Sequence, residues 1–338
     1  MNGLRFYSLF AGKMLGDGYM NLTSFSSINS QTSSKMLGDG YMNLTRGSPR
    51  FVFLHSSKDR EYAKHCFNLF SQYIEYGPGC CKESAIYDKR TKKHYRRIYY
   101  QTITDPILRD LYSLWYSNKR KKIPKKWVLE YLEADGLALW YQDDGCLKSD
   151  LYRIILSTES FSDEEIYFLK NFLKKKFGVK CQIDSQRRID ISTRREIRKF
   201  QALVEPHIHP SMERKSMASE WSKWLSEWQE IKEESGVICT SIYLPERIYN
   251  MIRGQGYSYK LNRLLDNWLD TQWYKYIIYP AKSYKWILDH ENIEKGSFLI
   301  TPRFKPHIRK KLDIMSMATG FEISQLVIIA LFSQEIFK

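Results

Sequence analysis

"FAGKMLGDG" occupies Phe10–Gly18, and "LALWYQDDG" occupies Leu137–Gly145. Each is a mostly apolar run at helix-compatible spacing that stops at Asp-Gly. One Asp-Gly pair ends a helix and opens a turn, and means no more than that. Two pairs, each followed by the same succession of elements, set the architecture of the first 216 residues.

Working outward from the first motif, "GYMNLT…RFVFLHSS" (Gly40–Ser57) alternates as a β-hairpin does,. "KDREYAKHCFNLFSQY" (Lys58–Tyr73) turns to helical spacing, and "SAIYDKRTKKHYRRIYYQTIT" (Ser84–Thr104) is a second hairpin with a basic turn. "DPILRDLYSLWY" (Asp105–Tyr116) closes the unit as a helix with Pro106 in its first turn,. The second motif repeats the order. "CLKS" and "RIILST" (Arg153–Thr158) form a hairpin, followed by the helix "SDEEIYFLKNFLKKKFG". Ser162 and Glu165 are spaced as a capping box for that helix, and Gly178 stops it. "KCQIDSQRRIDIST" (Lys180–Thr193) is the second hairpin, and "RREIRKFQALVEP" the closing helix. The chain is therefore expected to be α+β: two pseudo-symmetric αββαββα half-domains at 1–126 and 127–216, each contributing half of a saddle-shaped antiparallel sheet.

Charge points to the partner. Lys plus Arg number 53 against 38 for Asp plus Glu, a net charge of +15, and the excess is clustered. Lys82–Lys126 holds 14 basic and 4 acidic residues, and Lys170–Lys199 holds 11 and 3. Such segregation favours a polyanion. No apolar run approaches the length of a membrane span, and the N-terminus lacks the basic start and cleavage site of a secretory signal. A cytoplasmic or organelle-matrix location is expected. The six cysteines form no CxxC pair and are expected to be reduced thiols,. His207 and His209 share one strand face without a third ligand nearby and are read as structural.

At Ala11, Gly12, Asp17 and Gly18, and again at Leu137, Ala138, Asp144 and Gly145, the sequence resembles the LAGLIDADG homing endonuclease family in its single-chain, two-motif form. "WYQDDG" and "EPHIHPSMERK" (Glu205–Lys215) look like the family's phage and bacterial branch. The resemblance covers roughly residues 1–215. It implies a divalent-metal-dependent endonuclease, Mg²⁺ being the expected cofactor, that cuts both strands of a long double-stranded DNA target as a monomer. The alternative it leaves open is a non-catalytic binder: a maturase acting on its host intron RNA, or a repressor. Physical chemistry points the same way. Helices crossing closely need small residues at the contact, and carboxylates brought together bind hard cations through oxygen. Metal ions there can generate hydroxide and stabilise a leaving oxygen. The expected metal-binding and catalytic carboxylates are Asp17, Asp39 and Asp144. Lys58 and Lys199, just after corresponding strands, are candidate supporting bases. Arg96, Arg97, Gln101, Gln182, Arg187 and Arg188 on the hairpins are the expected DNA contacts.

Asp17 and Asp39 both appear because "KMLGDGYMNLT" occurs twice, at Lys13–Thr23 and Lys35–Thr45. The helix expected before the motif precedes copy one only, and the hairpin expected after it follows copy two only. The repeat reads as a tandem duplication with one copy redundant, and a single site needs only one of the two aspartates opposite Asp144.

Residues 217–236 read as an acidic helical linker and 237–338 as a tandem region resembling ribbon-helix-helix DNA-binding modules. In "TSIYLPERIYNMIRGQGYSYKLNRLLDNWL", Ile242 and Leu244 face a core while Ser241 and Tyr243 face outward,. "ITPRFKP" (Ile300–Pro306) is the expected intramolecular partner strand, with Thr301, Arg303 and Lys305 on its outer face.

Overall fold

A computed structural model describes residues 2–16, 40–45, 48–88, 92–118, 120–148, 151–254, 256–273 and 280–333. Asp17 and Asp39 lie outside the described residues. The chain divides into two compact units, one comprising residues 1–192 and 207–216, the other residues 193–206 and 217–338.

The first unit opens with α1 (Asn2–Leu15). From Phe6 onward its apolar residues Phe6, Leu9, Phe10, Ala11, Met14 and Leu15 are buried, and so are Ser8 and Lys13. A helix buried this nearly all round must have neighbours on several sides. On one side lie β1 (Gly40–Thr45) and β2 (Ser48–Ser56), followed by α2 (Arg60–Phe70), β3 (Cys81–Asp88), β4 (Lys93–Gln101) and α3 (Pro106–Trp115). The four strands form an antiparallel sheet in the order β1-β2-β4-β3. Phe10, Phe51 and Phe70 pack ring against ring beneath it. The side chain of Asp105 accepts from the Ile107 N–H (2.8 Å) and caps α3, whose first residue is Pro106.

After a short ladder of β5 (Tyr116–Ser117) and β6 (Arg120–Lys121), α4 (Lys125–Tyr131) leads into α5 (Ala134–Asp144). Then come β7 (Gly145–Leu147), β8 (Ile154–Leu156), α6 (Asp163–Phe177), β9 (Gln182–Ile183) and β10 (Ile189–Ile191). The second sheet runs β7-β8-β10-β9, the same order as the first. The capping box expected at Ser162 and Glu165 is present, and Gly178 ends α6 at φ +63°.

The crossing of α1 and α5 fixes this unit. A Cβ on Gly12 would stand 1.9 Å from the Gly136 carbonyl oxygen, and one on Gly136 would stand 2.1 Å from the Ser8 carbonyl oxygen. Only glycine allows this approach. Ser8 Oγ closes the contact by donating to Asp135 Oδ1 (2.5 Å) and accepting from the Glu133 N–H (3.0 Å). The partner of Gly12 is therefore Gly136, two residues before the small Ala138 of the second motif. The repeat also resolves into parts: α1 uses copy one through Gly16, and β1 uses copy two from Gly40.

The second unit contains α7 (Arg194–Val204), α8 (Ala218–Glu230), β11 (Ile238–Cys239), β12 (Ile242–Leu244), α9 (Glu246–Ile252) and α10 (Tyr257–Trp268). It continues through α11 (Pro280–Asp289), β13 (Phe298–Ile300), β14 (Arg303–Phe304), α12 (Pro306–Thr319) and α13 (Ile323–Ser333). Two sequence expectations are corrected here. The helix at 194–204 packs on α11 and α12 of this unit and does not close the second half-domain. The supposed linker contains α8, which buries Trp221, Trp224 and Trp228. Its acidic residues are the outward face of a core helix, and Arg198 lies 5.0 Å over the Trp224 ring. Among the described residues no single helix is long and apolar enough to cross a membrane.

Residues 238–244 run antiparallel to 298–304, with Ile238 opposite Phe304, Ile242 opposite Ile300 and Leu244 opposite Phe298. The Thr240 N–H donates to the Pro302 carbonyl between the two strand pairs (3.1 Å). The side chains alternate over 240–244 and 301–305: Thr240, Ile242, Leu244, Pro302 and Phe304 point inward, while Ser241, Tyr243, Thr301, Arg303 and Lys305 are exposed. At the outer ends Ile238, Cys239, Phe298 and Leu299 are all exposed.

The helix crossing yields a stability prediction. Gly12→Ala should lower stability by about 1–3 kcal/mol or more through forced backbone separation. Gly3→Ala, on the open end of the same helix with nothing within 4 Å, should be neutral or gain up to about 1 kcal/mol. Urea denaturation of both variants checks the contrast.

Candidate active site and nucleic-acid interface

Two turns of helix separate the glycine contact from the Asp-Gly end of α5. Over that distance the two motif helices exchange charge. Lys13, fully buried, donates to Asp143 Oδ1 (2.7 Å) and to His55 Nε2 (3.0 Å), and lies 5.0 Å over the Tyr62 ring. The Tyr62 hydroxyl donates to the same Asp143 oxygen (2.8 Å). Asp143 Oδ2 has no hydrogen-bond partner among the described residues, and a Cβ on Gly16 would stand 2.8 Å from it. Burial pushes the Asp143 carboxyl upward, while Lys13, Tyr62 and Lys215 pull it back. A buried ion pair with one partner removed leaves an uncompensated charge, so Lys13 and Asp143 are mutually obligatory.

Asp144, the last residue of α5, is half-buried, and its carbonyl accepts from the Ser157 N–H of the adjoining strand (3.1 Å). Gly16 thus faces Asp143, the residue before Asp144, and the residue after Gly16 in copy one is Asp17. Carboxylate oxygens at this helix end suit a hard divalent cation, and Asp143 Oδ2 beside Gly16 is a buried oxygen that accepts no hydrogen bond among the described residues. The donor set fits Mg²⁺ chemically.

The segment 207–216 secures the same helix end. The Lys215 ammonium donates to the carbonyls of Tyr141 (3.2 Å), Gln142 and Asp143 (3.1 Å). The Tyr141 carbonyl also accepts from the Gly145 N–H, whereas the Gln142 and Asp143 carbonyls lie in the last turn, where a cation meets the negative end of the helix dipole,. The Tyr141 hydroxyl returns a bond to the Lys215 carbonyl (2.8 Å). Gln142 accepts from the His209 N–H (2.7 Å) and donates to the His207 carbonyl (3.2 Å). From sequence alone Lys215 has no assigned role. The signal is the basic residue ending "PSMERK", whose partners are backbone atoms about 70 positions away in the chain.

Lys199 is corrected. It is fully buried in the second unit, paired with Glu196 Oε2 (2.8 Å) and Glu291 Oε1 (3.4 Å), and so is not presented to a substrate. Lys58 is exposed just after β2. Of the expected DNA contacts, Arg96 is exposed on β4, Gln182 is exposed on β9, and Gln101 is half-buried. Arg97 is half-buried and donates from Nε to Ser84 Oγ (2.8 Å). The Arg187 and Arg188 guanidiniums are committed internally. Arg187 holds Asp163 (2.8 Å) and the carbonyls of Glu159 and Phe161. Arg188 grips Asp184 through two nitrogens (2.9 and 2.7 Å). Their charge is spent on fixing the β9–β10 turn, where Arg187 sits at φ +63°.

Histidines line the Lys13 pocket. The rings of His65 and His209 lie 4.5 Å apart. Burial, then His209 and Lys13, push His65 down to about 4. Burial and the cations Lys13, Lys215 and Arg214 hold His55 well below the usual imidazole value. The unfolded chain therefore takes up protons near 6.5 that the folded chain refuses until about 4, so stability is complete above that window and falls as pH drops through it. The urea midpoint should decline across this range, and His65→Gln should flatten the decline.

A family model described as the LAGLIDADG DNA endonuclease family matches residues 35–202. The match begins at copy two of the repeat, whereas the packed helix is copy one. An uncharacterized protein of Methanocaldococcus jannaschii is 30% identical over 177 residues, covering 51% of this chain and 66% of that protein. The DNA endonuclease I-ChuI of Chlamydomonas applanata is 30% identical over 184 residues, covering 51% of this chain and 72% of the relative. Among solved structures, the homing endonuclease I-WcaI bound to its DNA recognition sequence aligns at a TM-score of 0.47 and 22% identity, over 62% of this chain and 85% of that one.

Proposed function

We infer, since this chain belongs to the LAGLIDADG DNA endonuclease family, that it is a site-specific DNA endonuclease of homing type. The observation that carries the reading is the backbone-to-backbone crossing of α1 and α5, with Gly16 of the first motif against Asp143 of the second. Asp144 is the carboxylate supplied by the second motif, and either Asp17 or Asp39 is the one supplied by the first. Mg²⁺ bound between them would supply Lewis acidity toward a phosphate and a water of lowered pKa. The chain's own part is positioning. Lys215 holds the last carbonyls of α5, Lys13 ties Asp143 to α1, and Asp144 is thereby fixed at the helix end. The exposed basic residues of β3 and β4 engage the phosphate backbone and set register. Two motifs on one chain let a monomer cut both strands.

Cleavage of a randomised-site plasmid library with Mg²⁺ should be seen with the wild type and lost in Asp144→Asn while DNA binding persists. Only one of Asp17→Asn and Asp39→Asn should abolish cutting; equal loss in both would count against a single working copy. Binding without cutting by the wild type would leave the maturase or repressor reading.

The paired strands of the second unit support a further DNA-reading surface of ribbon-helix-helix type. Ser241, Tyr243, Thr301, Arg303 and Lys305 share its exposed face, with the width and chemistry of a two-stranded ribbon for a major groove. Arg303→Ala combined with Lys305→Ala should weaken binding and reduce the salt slope by about 1 for each phosphate no longer neutralised. An unchanged slope would remove the ribbon from the interface.

A further inference from the structure

We propose that the second unit binds one transition-metal cation through Glu233, Asp266 and His307, separate from the carboxylates of the motif helices. The three come from different elements: the chain after α8, the helix α10 and the first turn of α12. Their ligand atoms all lie within 4.8 Å of one another.

The charge pattern of the surroundings points to a cation. The chain carries a net charge of +15, yet among the described residues no lysine or arginine pairs with Glu233 or Asp266. The nearby lysines are engaged elsewhere, Lys310 with Glu234 (2.5 Å) and Lys311 with Asp270. The two carboxylates therefore converge with the His307 imidazole beside them and leave oxygen lone pairs open to a positive ion.

His307 selects the class of ion. Its side chain is only 4% exposed, and its Nε2 stands 3.2 Å from Asp266 Oδ1. That is long for a charge-assisted hydrogen bond, which draws in to about 2.7–2.9 Å. It matches the spacing of about 3.3 Å between two ligands of a tetrahedral ion with bonds of about 2.0 Å. His307 Nδ1 is buried without a partner among the described residues, and Nε2, which faces Asp266, is the nitrogen presented to an ion. Imidazole with two carboxylates suits Zn²⁺ and its neighbours, whereas Mg²⁺ prefers oxygen alone. The ion would join three chain segments far apart in sequence and so act on stability.

The test uses the full chain stripped with chelator and dialysed, without DNA, in excess Mg²⁺ so that oxygen-only sites are filled. Titration calorimetry with Zn²⁺ should give one equivalent per chain, and Co²⁺ should give the visible bands of a tetrahedral site. Thermal denaturation should shift upward with Zn²⁺. Glu233→Gln, at an exposed position that leaves folding intact, and Asp266→Asn should each weaken Zn²⁺ binding by about tenfold or more. Absence of Zn²⁺ binding, or binding unchanged in both variants, would overturn the proposal. Neither result bears on the nuclease reading, because cleavage is not measured.

Discussion

Everything in the first unit is arranged around two helices whose backbones touch. Where Gly12 meets Gly136 there is no room for a side chain on either, so the crossing point is set by main-chain atoms. Side chains above and below that point then have determined partners. On one side Ser8 reaches Asp135 and the Glu133 N–H; on the other Lys13 reaches Asp143. A buried lysine costs several kcal/mol of desolvation, and it is tolerable here because Asp143, His55 and the faces of Phe53 and Tyr62 surround it. Apolar side chains would pack at such a crossing without fixing the rotation of one helix about the other. An ion pair reaching across it does fix that rotation.

The second unit is built differently. Its helices bury tryptophans and long aliphatic residues, and its strands are short pairs that expose one face. α8 shows how composition alone misleads: a strongly acidic stretch becomes a core helix because its three tryptophans fall on one stripe. α7 belongs with this unit because its buried face is met by α11 and α12.

Local signals were legible in the sequence. The capping box at Ser162, the left-handed Gly178, Asp105 before Pro106, and the inward and outward alternation around Ile242 and Leu244 depend on residues a few positions apart. The motif helices were legible for the same reason. Partners from distant segments were not. Periodicity marks Lys199 as a residue on a helix after a strand, but not the Glu291 waiting for it. Basic clustering cannot separate Arg96, exposed on its strand, from Arg188, which is bound to Asp184. Nor could spacing reveal that Gly136, rather than Ala138, would meet Gly12.

The two sheets of the first unit share a strand order but not an electrical character. In the second sheet and its turns, Arg153, Arg187 and Arg188 are each neutralised by an aspartate of the same unit. In the first, Lys82, Lys93 and Arg96 are exposed and carry no ion pair among the described residues. A polyanion lying along both sheets would be drawn harder toward one end. The surface of the first unit therefore has a polarity of charge along it, and a polyanion lying in the reverse direction would meet a different distribution of cations.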